Sequence, residues 1–331
     1  MSITVGQLWH HPVKSMRGHP VDEVVLGPGG VIGDRAYGFV DVQTGRLVSA
    51  KHPKRYGRML DCVARFTEPP RVDRPTPPVA VTFPDGETLT GDEQAIATRV
   101  GELLGREVRM VTSVPPGVPY EEVWPELEGF GPDDFYGALQ ITPGEQDEAG
   151  ERVLAIPTGM AAQGTLLDLA ALHVLAESTL RALAAAYPEG QWDGRRFRPN
   201  ILFADDGPAP GAEYVEDGWI GCDLRIGSQA RVHVVAPTPR CPMPTLAQGD
   251  LPRDPGILRA VARVNRRELG GMGQFACAGA YAEVVTPGVV RAGDEVRVTQ
   301  TVAESSALAS AMEMISEGLR AARSRTPAGG S

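Results

Sequence analysis

Short runs of β-favouring residues, each followed by a turn signal, recur along this chain and restrict its possible folds more than any other feature. Six such runs lie in the first 90 residues, where Asp85-Gly86 marks a tight hairpin. Further alternating runs follow in the second half, and Pro287-Gly288 separates the last two of them. The sequence therefore predicts an α+β, β-rich fold with barrel-like sheets, rather than a doubly wound parallel sheet.

Helical periodicity is confined to a few segments that carry start and stop signals. Their predicted limits are Asp92 to Gly105, Ser178 to Pro188, Asp254 to Gly270, and a last amphipathic segment with Leu308, Met312, Ile315 and Leu319 on one stripe. A Pro-rich stretch follows the first helix and strand, and such stretches favour a domain boundary. We therefore predict an N-terminal domain at 1–115, a second domain at 116–302, and a helix with a disordered tail at 303–331.

Length and charge narrow the functional classes. A chain of 331 residues favours about two domains. Its net charge of −10, from 42 acidic and 32 basic residues, argues against nucleic acid as a partner. The N-terminus lacks the order of a signal peptide, and no apolar run approaches the roughly 18 residues of a membrane span. These features predict a cytoplasmic protein with no membrane partner.

The four cysteines are scattered and form no pair or cluster at metal-binding spacing. Cys62, Cys222 and Cys277 lie in apolar β-runs, so we interpret them as small buried residues. Cys241 differs because it follows Arg240 among four prolines, in "APTPRCPMPT". Prolines restrict the backbone and so fix where the sulfur points, and a thiolate is a soft ligand for a transition metal. On the residues alone, a ligand role and a buried-thiol role for Cys241 stay equally open.

Cations beside predicted turns form a second candidate feature. In a net-acidic chain, several cations at strand ends indicate a pocket for an anionic small molecule, because arginine pairs well with phosphate. Each cation alone is also compatible with a solvated surface charge. We expect these cations, with Arg240, to lower the pKa of the Cys241 thiol. The set comprises Lys14, Arg17, Arg35, Arg195, Arg196 and Arg198.

The stretches "HPVKSMRG" and "GVIGDRAYGFVD" near the start, with "RFRPN", "RCPMPT" and "GAYAEVVTPGVVRAGDEV" later, resemble the MOSC proteins that carry an N-terminal MOSC β-barrel domain. That family includes the C-terminal domain of molybdenum cofactor sulfurase and the amidoxime-reducing molybdenum enzymes. The resemblance covers roughly residues 3 to 300. It implies a β-barrel MOSC domain packed with a smaller, barrel-like N-terminal domain.

The resemblance also implies site residues and a cofactor, the molybdenum–molybdopterin cofactor (Moco). By position, Cys241 matches the cysteine that ligates molybdenum. Lys14 and Ser15 match the Lys-Ser pair suited to the pterin phosphate, and Arg35 matches the arginine of the Gly-Asp-Arg motif. Two further positions match the Arg-Pro-Asn motif, Arg198 and Asn200.

These matches predict a molybdenum-dependent oxidoreductase that acts on a small-molecule substrate, with N-hydroxylated compounds as the substrate class that the resemblance suggests. No Gly-rich nucleotide-binding motif and no iron–sulfur spacing occur, so an external electron-transfer protein is expected as donor. Two alternatives stay open at this point. One is a sulfur carrier or transferase that uses a persulfide on Cys241, and the other is a carrier that delivers the molybdenum cofactor.

Overall fold

The structure of the chain is a computed structural model. It describes residues 2–115, 117–132, 152–157, 165–207, 211–300, 309–310, 312–314, 316–317 and 320. Three residues of the predicted C-terminal stripe, Leu308, Ile315 and Leu319, lie outside the described residues, as does the predicted tail at 323–331.

The described residues form an α+β protein dominated by strands, as the sequence predicts. In chain order the strands are β1 (Ile3–His10), β2 (His19–Val21), β3 (Glu23–Gly27), β4 (Gly30–Val31), β5 (Gly38–Asp41), β6 (Val63–Phe66), β7 (Val79–Thr82), β8 (Thr88–Thr90), β9 (Val108–Val111), β10 (Pro119–Val123), β11 (Val153–Pro157), β12 (Leu172–Ala176), β13 (Ile201–Asp205), β14 (Cys222–Ile226), β15 (Ala230–Pro239), β16 (Arg266–Glu268), β17 (Gln274–Thr286), β18 (Gly288–Arg291) and β19 (Val296–Gln300).

Helices are short and few by comparison. The α-helices are α1 (Pro53–Tyr56), α2 (Glu93–Leu104), α3 (Glu177–Ala186) and α4 (Gly256–Val264), and the 3₁₀ helices are Gly57–Asp61, Gly194–Phe197, Val215–Trp219 and Met243–Thr245.

The largest sheet has nine strands in the order β19-β14-β15-β17-β12-β13-β1-β2, with β16 paired to β17. Strands β12 and β13 are parallel, and the other pairs in this sheet are antiparallel. Strand β1, from the start of the chain, pairs along β13, with Ile3 opposite Asp205 and Leu8 opposite Ile201. The first strand of the chain therefore completes a sheet that is otherwise built mostly from the second half.

Two main apolar cores hold the fold together. The first packs Ile3, Leu8 and Leu26 against residues from 172 to 296, such as Phe203 and Val234. The second is built entirely from residues 13 to 110. Because β1, β3 and β4 contribute residues to the first core and the segment from Val13 to Met110 forms the second, the N-terminal half contributes to both. The domain limits at 115 and 302 stay a prediction.

The helix predictions are partly corrected. Helix α2 begins after Asp92, whose side chain accepts a hydrogen bond from the Ala95 amide at 2.9 Å, and ends at Gly105 with φ 66°, as expected. Helix α4 ends at Val264, not at Gly270. Asn265 leaves the helix because its backbone oxygen and side-chain amide both bond to the backbone of Cys277, each at 2.9 Å.

The predicted cap of α3 is also wrong. Ser178 lies inside the helix, and its amide donates to the Asp205 carboxylate at 2.9 Å. Asp205 is the last residue of β13, so strand β13 supplies the capping hydrogen-bond acceptor that the sequence pattern assigns to the Ser178 side chain. An acceptor that is distant in sequence cannot be inferred from a local capping pattern.

Candidate functional site

The six residues predicted for the site line one pocket. The pocket collects the segments that follow β1 and β15 and the turn that precedes β13. The six residues come from four separate stretches of the chain. They are Lys14, Ser15, Arg35, Arg198, Asn200 and Cys241.

Three of these residues have left-handed backbone conformations. They are Ser15 with φ 68°, Arg35 with φ 50° and Arg198 with φ 54°, and among the described residues no other residue besides glycine has positive φ. This conformation is unfavourable for residues with a side chain, and it concentrates at functional sites where surrounding contacts impose it. Here the contacts are backbone hydrogen bonds: Arg35 N donates to His11 O at 2.7 Å, and Arg198 N donates to Arg195 O at 3.2 Å.

Lys14 and Ser15 follow β1 in a turn that faces the pocket. Lys14 is buried, with 4% of its surface exposed, and its ammonium donates to Leu166 O at 2.9 Å and pairs with Asp168. Burial lowers the pKa of Lys14, and the charge of Asp168 acts in the opposite direction. The Ser15 hydroxyl accepts a hydrogen bond from the Ala50 amide at 3.0 Å. Both side chains are thus fixed before any ligand arrives.

Arg198 and Asn200 flank the turn that leads into β13. Burial, reinforced by the nearby charge of Arg35, lowers the pKa of Arg198 to about 9. One guanidinium nitrogen of Arg198 donates to Met16 O at 2.5 Å, which ties the turn to the Lys14 segment. The Asn200 side-chain oxygen accepts from the His173 amide at 3.0 Å. Its Nδ2 is buried and has no hydrogen-bond partner among the described residues.

Cys241 lies in the turn between β15 and the 3₁₀ helix Met243–Thr245, and its side chain is half-buried. The expected low pKa is wrong: burial raises the pKa of the Cys241 thiol, and the lowering effect of Lys51 and Arg240 does not overcome it. Glu122 adds to the upward shift. The sequence could not show that this carboxylate approaches the sulfur.

The guanidinium of Arg240 binds backbone oxygens. Its guanidinium donates to Phe197 O at 3.0 Å and lies 3.3 Å from His173 Nε2. Burial and Arg240 hold the pKa of His173 well below its usual value, so the imidazole is neutral and Nε2 accepts from the guanidinium, which can only donate. The buried Nε of Arg240 has no hydrogen-bond partner among the described residues.

Sequence reasoning missed three charged residues of the pocket, Lys51, Glu122 and Asp168. Lys51 Nζ lies 2.9 Å from a Glu122 oxygen and 3.3 Å from an Asp168 oxygen. Burial opposes protonation of Lys51, yet the two carboxylates raise its pKa well above the usual value. Each residue sits in an ordinary-looking stretch, and only the fold brings it to the pocket. The sequence offers a signal for one of them only: Lys51, in "SAKHP", lies beside the end of a predicted strand.

Not every cation of the predicted anion site faces the pocket. Arg17 and Arg195 are absent from its described lining: Arg17 donates to Asp61 O at 2.8 Å, and Arg195 pairs with Asp193 and Asp250, each at 2.7 Å. Arg196 reaches the lining but is fully buried and donates to four backbone oxygens. Lys14, Arg35 and Arg198 do converge beside Cys241.

The pocket has the donor set that a phosphate-bearing pterin would require. Besides Arg196, whose guanidinium is bonded to backbone oxygens, five cations are among its described lining residues, against the carboxylates of Glu122 and Asp168, although the whole chain carries a net charge of −10. Buried donor groups of Asn200, Thr238 and Arg240 lack hydrogen-bond partners among the described residues, and such orphans indicate a missing polar ligand. The residues present therefore fit an anionic cofactor. The five cations are Lys14, Arg35, Lys51, Arg198 and Arg240.

No group of three or more His, Cys, Asp and Glu side chains is placed to hold a metal ion within the part of the chain that the structure describes. A metal at this pocket would have to take most of its ligands from a cofactor, with one from Cys241. Among the described helices, none is both long and apolar enough to cross a membrane.

Fold and pocket together define a β-rich protein whose pocket holds several cations beside a single cysteine. Two family models match the chain, the MOSC N-terminal beta barrel domain over residues 2–67 and the MOSC domain over residues 163–297. The chain belongs to the MOSC family. The predicted family resemblance is thereby confirmed.

Comparison with curated proteins gives no match. Among solved structures, the chain is similar to the YUAD protein of Bacillus subtilis, at 12% identity over 91% of this chain and 98% of that one, with a TM-score of 0.42. It is also similar to YiiM of Geobacillus stearothermophilus, at 16% identity over 57% of this chain and 88% of that one, with a TM-score of 0.30.

Proposed function

We propose that this protein is a molybdenum cofactor-dependent oxidoreductase that reduces N-hydroxylated or related small molecules with electrons from an external protein. The observation that carries this proposal is the convergence of Lys14, Ser15, Arg35, Arg198 and Asn200 on the pocket that contains Cys241. Membership of the MOSC family supports it at the level of the family.

The cations would hold the negative end of the cofactor. Lys14 and Arg198 are buried and already oriented by backbone contacts, so they bind a phosphate with little loss of side-chain entropy. Ser15 lies next to Lys14 and offers a hydroxyl at the same turn. The free Nδ2 of Asn200 and Nε of Arg240 would donate to oxygen or nitrogen acceptors of the pterin.

Cys241 would provide the protein ligand to molybdenum. Its thiol has a raised pKa in the bare pocket, so ligation must release a proton, as metal binding to cysteine generally does. When bound, the cofactor supplies two-electron oxygen-atom-transfer chemistry. For an N-hydroxylated substrate the net change is two electrons and two protons taken up, the N–O bond broken, and one water released.

A reduction assay with two electron sources tests this proposal. Protein loaded with cofactor should reduce an N-hydroxylated amidine when a reduced viologen dye supplies electrons, and should be inactive with NADH alone. Cys241→Ser should abolish the dye-driven reaction. Absence of dye-driven turnover in loaded wild-type protein, together with a persulfide on Cys241 after exposure to a sulfur donor, would contradict the oxidoreductase and favour the sulfur carrier.

A further inference from the structure

A second groove lies directly behind the turn that carries Cys241. One wall comes from residues 53–61 of the first half, around helix α1, and the other from the turn after Cys241 and the start of helix α4. Trp124 lines both this groove and the pocket. Pro242 and residues 245–247 of the Cys241 turn form part of the groove, so its surface and Cys241 are separated by at most a few residues of one turn.

The groove is strongly basic at its rim. Among its described lining residues, five exposed cations stand against two carboxylates, Asp61 and Glu126, in a chain that is acidic as a whole. Its floor is apolar, with Pro125, Pro242 and Leu258 among the lining residues. We name this surface the basic groove. Its cations are Lys54, Arg58, Arg152, Arg253 and Arg259.

We propose that the basic groove is the docking surface for the electron donor, and that this donor is a small protein with an acidic patch around its redox centre. The inference rests on the proposed oxidoreductase function and adds where and by what chemistry the donor binds. A cationic rim steers an acidic partner and fixes its orientation, while an apolar floor supplies contact area. Small interfaces of this kind are typical of transient electron-transfer complexes.

Position relative to Cys241 favours this groove over other surfaces. Electron transfer weakens steeply with distance, so a donor must dock close to the metal centre. The mouth of the pocket must stay open for the small-molecule substrate. Docking at the groove satisfies both requirements, because the groove includes residues of the Cys241 turn and shares only Trp124 with the described lining of the pocket.

Lysine content provides a direct way to locate the contact. The chain has only three lysines, Lys14, Lys51 and Lys54. Lys14 and Lys51 are 4% and 8% exposed in the pocket, whereas Lys54 is exposed in the basic groove. A carbodiimide joins a carboxylate to an amine without a spacer. Lys54 is therefore the one lysine side chain that a docked acidic protein can reach.

The experiment uses the full chain and a purified acidic [2Fe–2S] ferredoxin as probe. At low salt, carbodiimide should cross-link Lys54 to a ferredoxin carboxylate, and added salt should suppress the product because it screens exposed charges. Lys54→Arg keeps the charge but removes the amine, so it should lose the cross-link and retain binding. If Lys54 instead cross-links to residues 133–151 of the same chain, and added ferredoxin does not lower the yield of that product, the groove belongs to that acidic segment and the proposal is overturned.

A charge-reversal pair tests the function of the surface. Arg253→Glu with Arg259→Glu should lower ferredoxin-driven turnover by about tenfold or more, as loss of electrostatic steering does, while dye-driven turnover stays unchanged. Arg65→Glu with Arg225→Glu makes the same charge change on exposed strand residues outside the groove and should have little effect. Equal ferredoxin-driven turnover in both variants, or no ferredoxin binding by wild-type protein at low salt, would overturn the docking site. Absence of dye-driven turnover in wild-type protein would instead contradict the proposed oxidoreductase function. The Lys54 cross-link would still show whether ferredoxin binds at the basic groove.

Discussion

Among the four cysteines, Cys241 alone lines the pocket, and the other three are buried in the fold. Burial raises the pKa of Cys62 and of Cys277 to about 12, so their thiols stay protonated and inert near neutral pH. The thiol of Cys241 also has a raised pKa, but Lys51 and Arg240 lie close enough to favour the thiolate once a metal replaces the proton.

Replacing Cys241 by serine should therefore abolish molybdenum retention and leave stability nearly unchanged. The measurement is bound molybdenum per chain, by elemental analysis, in protein produced with full cofactor supply. Cys277→Ser is the control: it should retain metal but lose about 1–3 kcal/mol of unfolding free energy, because it buries a hydroxyl in place of a thiol. Stoichiometric metal in Cys241→Ser protein would refute the ligand assignment.

The left-handed residues of the pocket show why its geometry is costly to maintain. A residue with a side chain in this conformation costs of order 1–3 kcal/mol, and Ser15, Arg35 and Arg198 all adopt it. Glycine is the usual sequence signal for such positions, and none of these three is glycine. Their residue types were predicted from motifs and charge, but their backbone conformation could not be predicted from the sequence.

At the scale of elements, the turn that carries Cys241 is held by the side chain of Arg196. This guanidinium is fully buried and donates to Gln191 O, Pro244 O, Leu246 O and Pro252 O at 2.8 to 3.3 Å. Four backbone oxygens, three of them beyond Cys241, thus share one cation. The sequence marked Arg196 as a candidate anion ligand, whereas in the structure it organises the turn.

Arg196→Met should therefore destabilise the protein by about 3 kcal/mol and loosen the Cys241 turn, since it leaves buried oxygens without donors. Urea unfolding measures the first effect. The rate at which a thiol reagent modifies Cys241 measures the second, and it should rise. Arg195→Met is a matched control: its partners Asp193 and Asp250 are partly exposed, so the loss should stay below about 1 kcal/mol. Equal losses in the two variants would contradict this role for Arg196.

The buried carboxyl group of Glu216 makes stability depend on pH. Glu216 lies in the 3₁₀ helix Val215–Trp219 and contacts the start of α3. Glu216 is 1% exposed and accepts a hydrogen bond from the Ala176 amide at 2.6 Å. Burial raises its pKa to about 7, against about 4.5 when unfolded. Between these values the folded state keeps a proton that the unfolded state has lost, so this residue lowers the unfolding free energy as pH rises from about 4.5 to 7.

Glu216→Gln should remove that contribution. The difference in unfolding free energy, variant minus wild type, should increase from pH 5 to pH 8, as measured by urea unfolding at several pH values. Taking the difference between the two proteins cancels the contribution of the buried histidines, because both proteins contain them. Their lowered pKa values make the unfolding free energy rise with pH, opposite to the effect of Glu216. A difference that does not change with pH would show that Glu216 is ionised in the folded state.

Element predictions succeeded where local signals decide and failed where distant partners do. Helix α2 was predicted at both ends because Asp92 and Gly105 act within their own turns. The end of α4 was missed because Asn265 pairs with Cys277, twelve residues ahead in sequence. The same distinction applies to the pocket. Lys14 and Cys241 sit in recognisable stretches, whereas Asp168 gains its meaning only from the two lysines that the fold places beside it.

At the scale of the whole molecule, the two halves of the chain share a sheet and a core. Strand β1 lies between β13 and β2, and β3 pairs with β18. Ile3, Val5 and Leu8 belong to the same core as Phe203 and Val234. The pocket takes Lys14 from the segment after β1 and Arg198 and Asn200 from the turn before β13, so the pairing of β1 with β13 also brings these two parts of the site together.

A fragment of residues 116–302 should therefore fail to fold alone, although it contains the whole MOSC match. Without β1, strand β13 (Ile201–Asp205) becomes an exposed edge, which promotes aggregation, and the core loses Ile3, Val5 and Leu8. Co-expression of residues 2–31, which supply strands β1 to β4, should restore soluble protein, as measured by size-exclusion chromatography. A segment of the same length with Val5→Asp and Leu8→Asp is the control, and it should not rescue. A soluble, cooperatively unfolding 116–302 fragment without β1 would show that the boundary at residue 115 separates two independent domains.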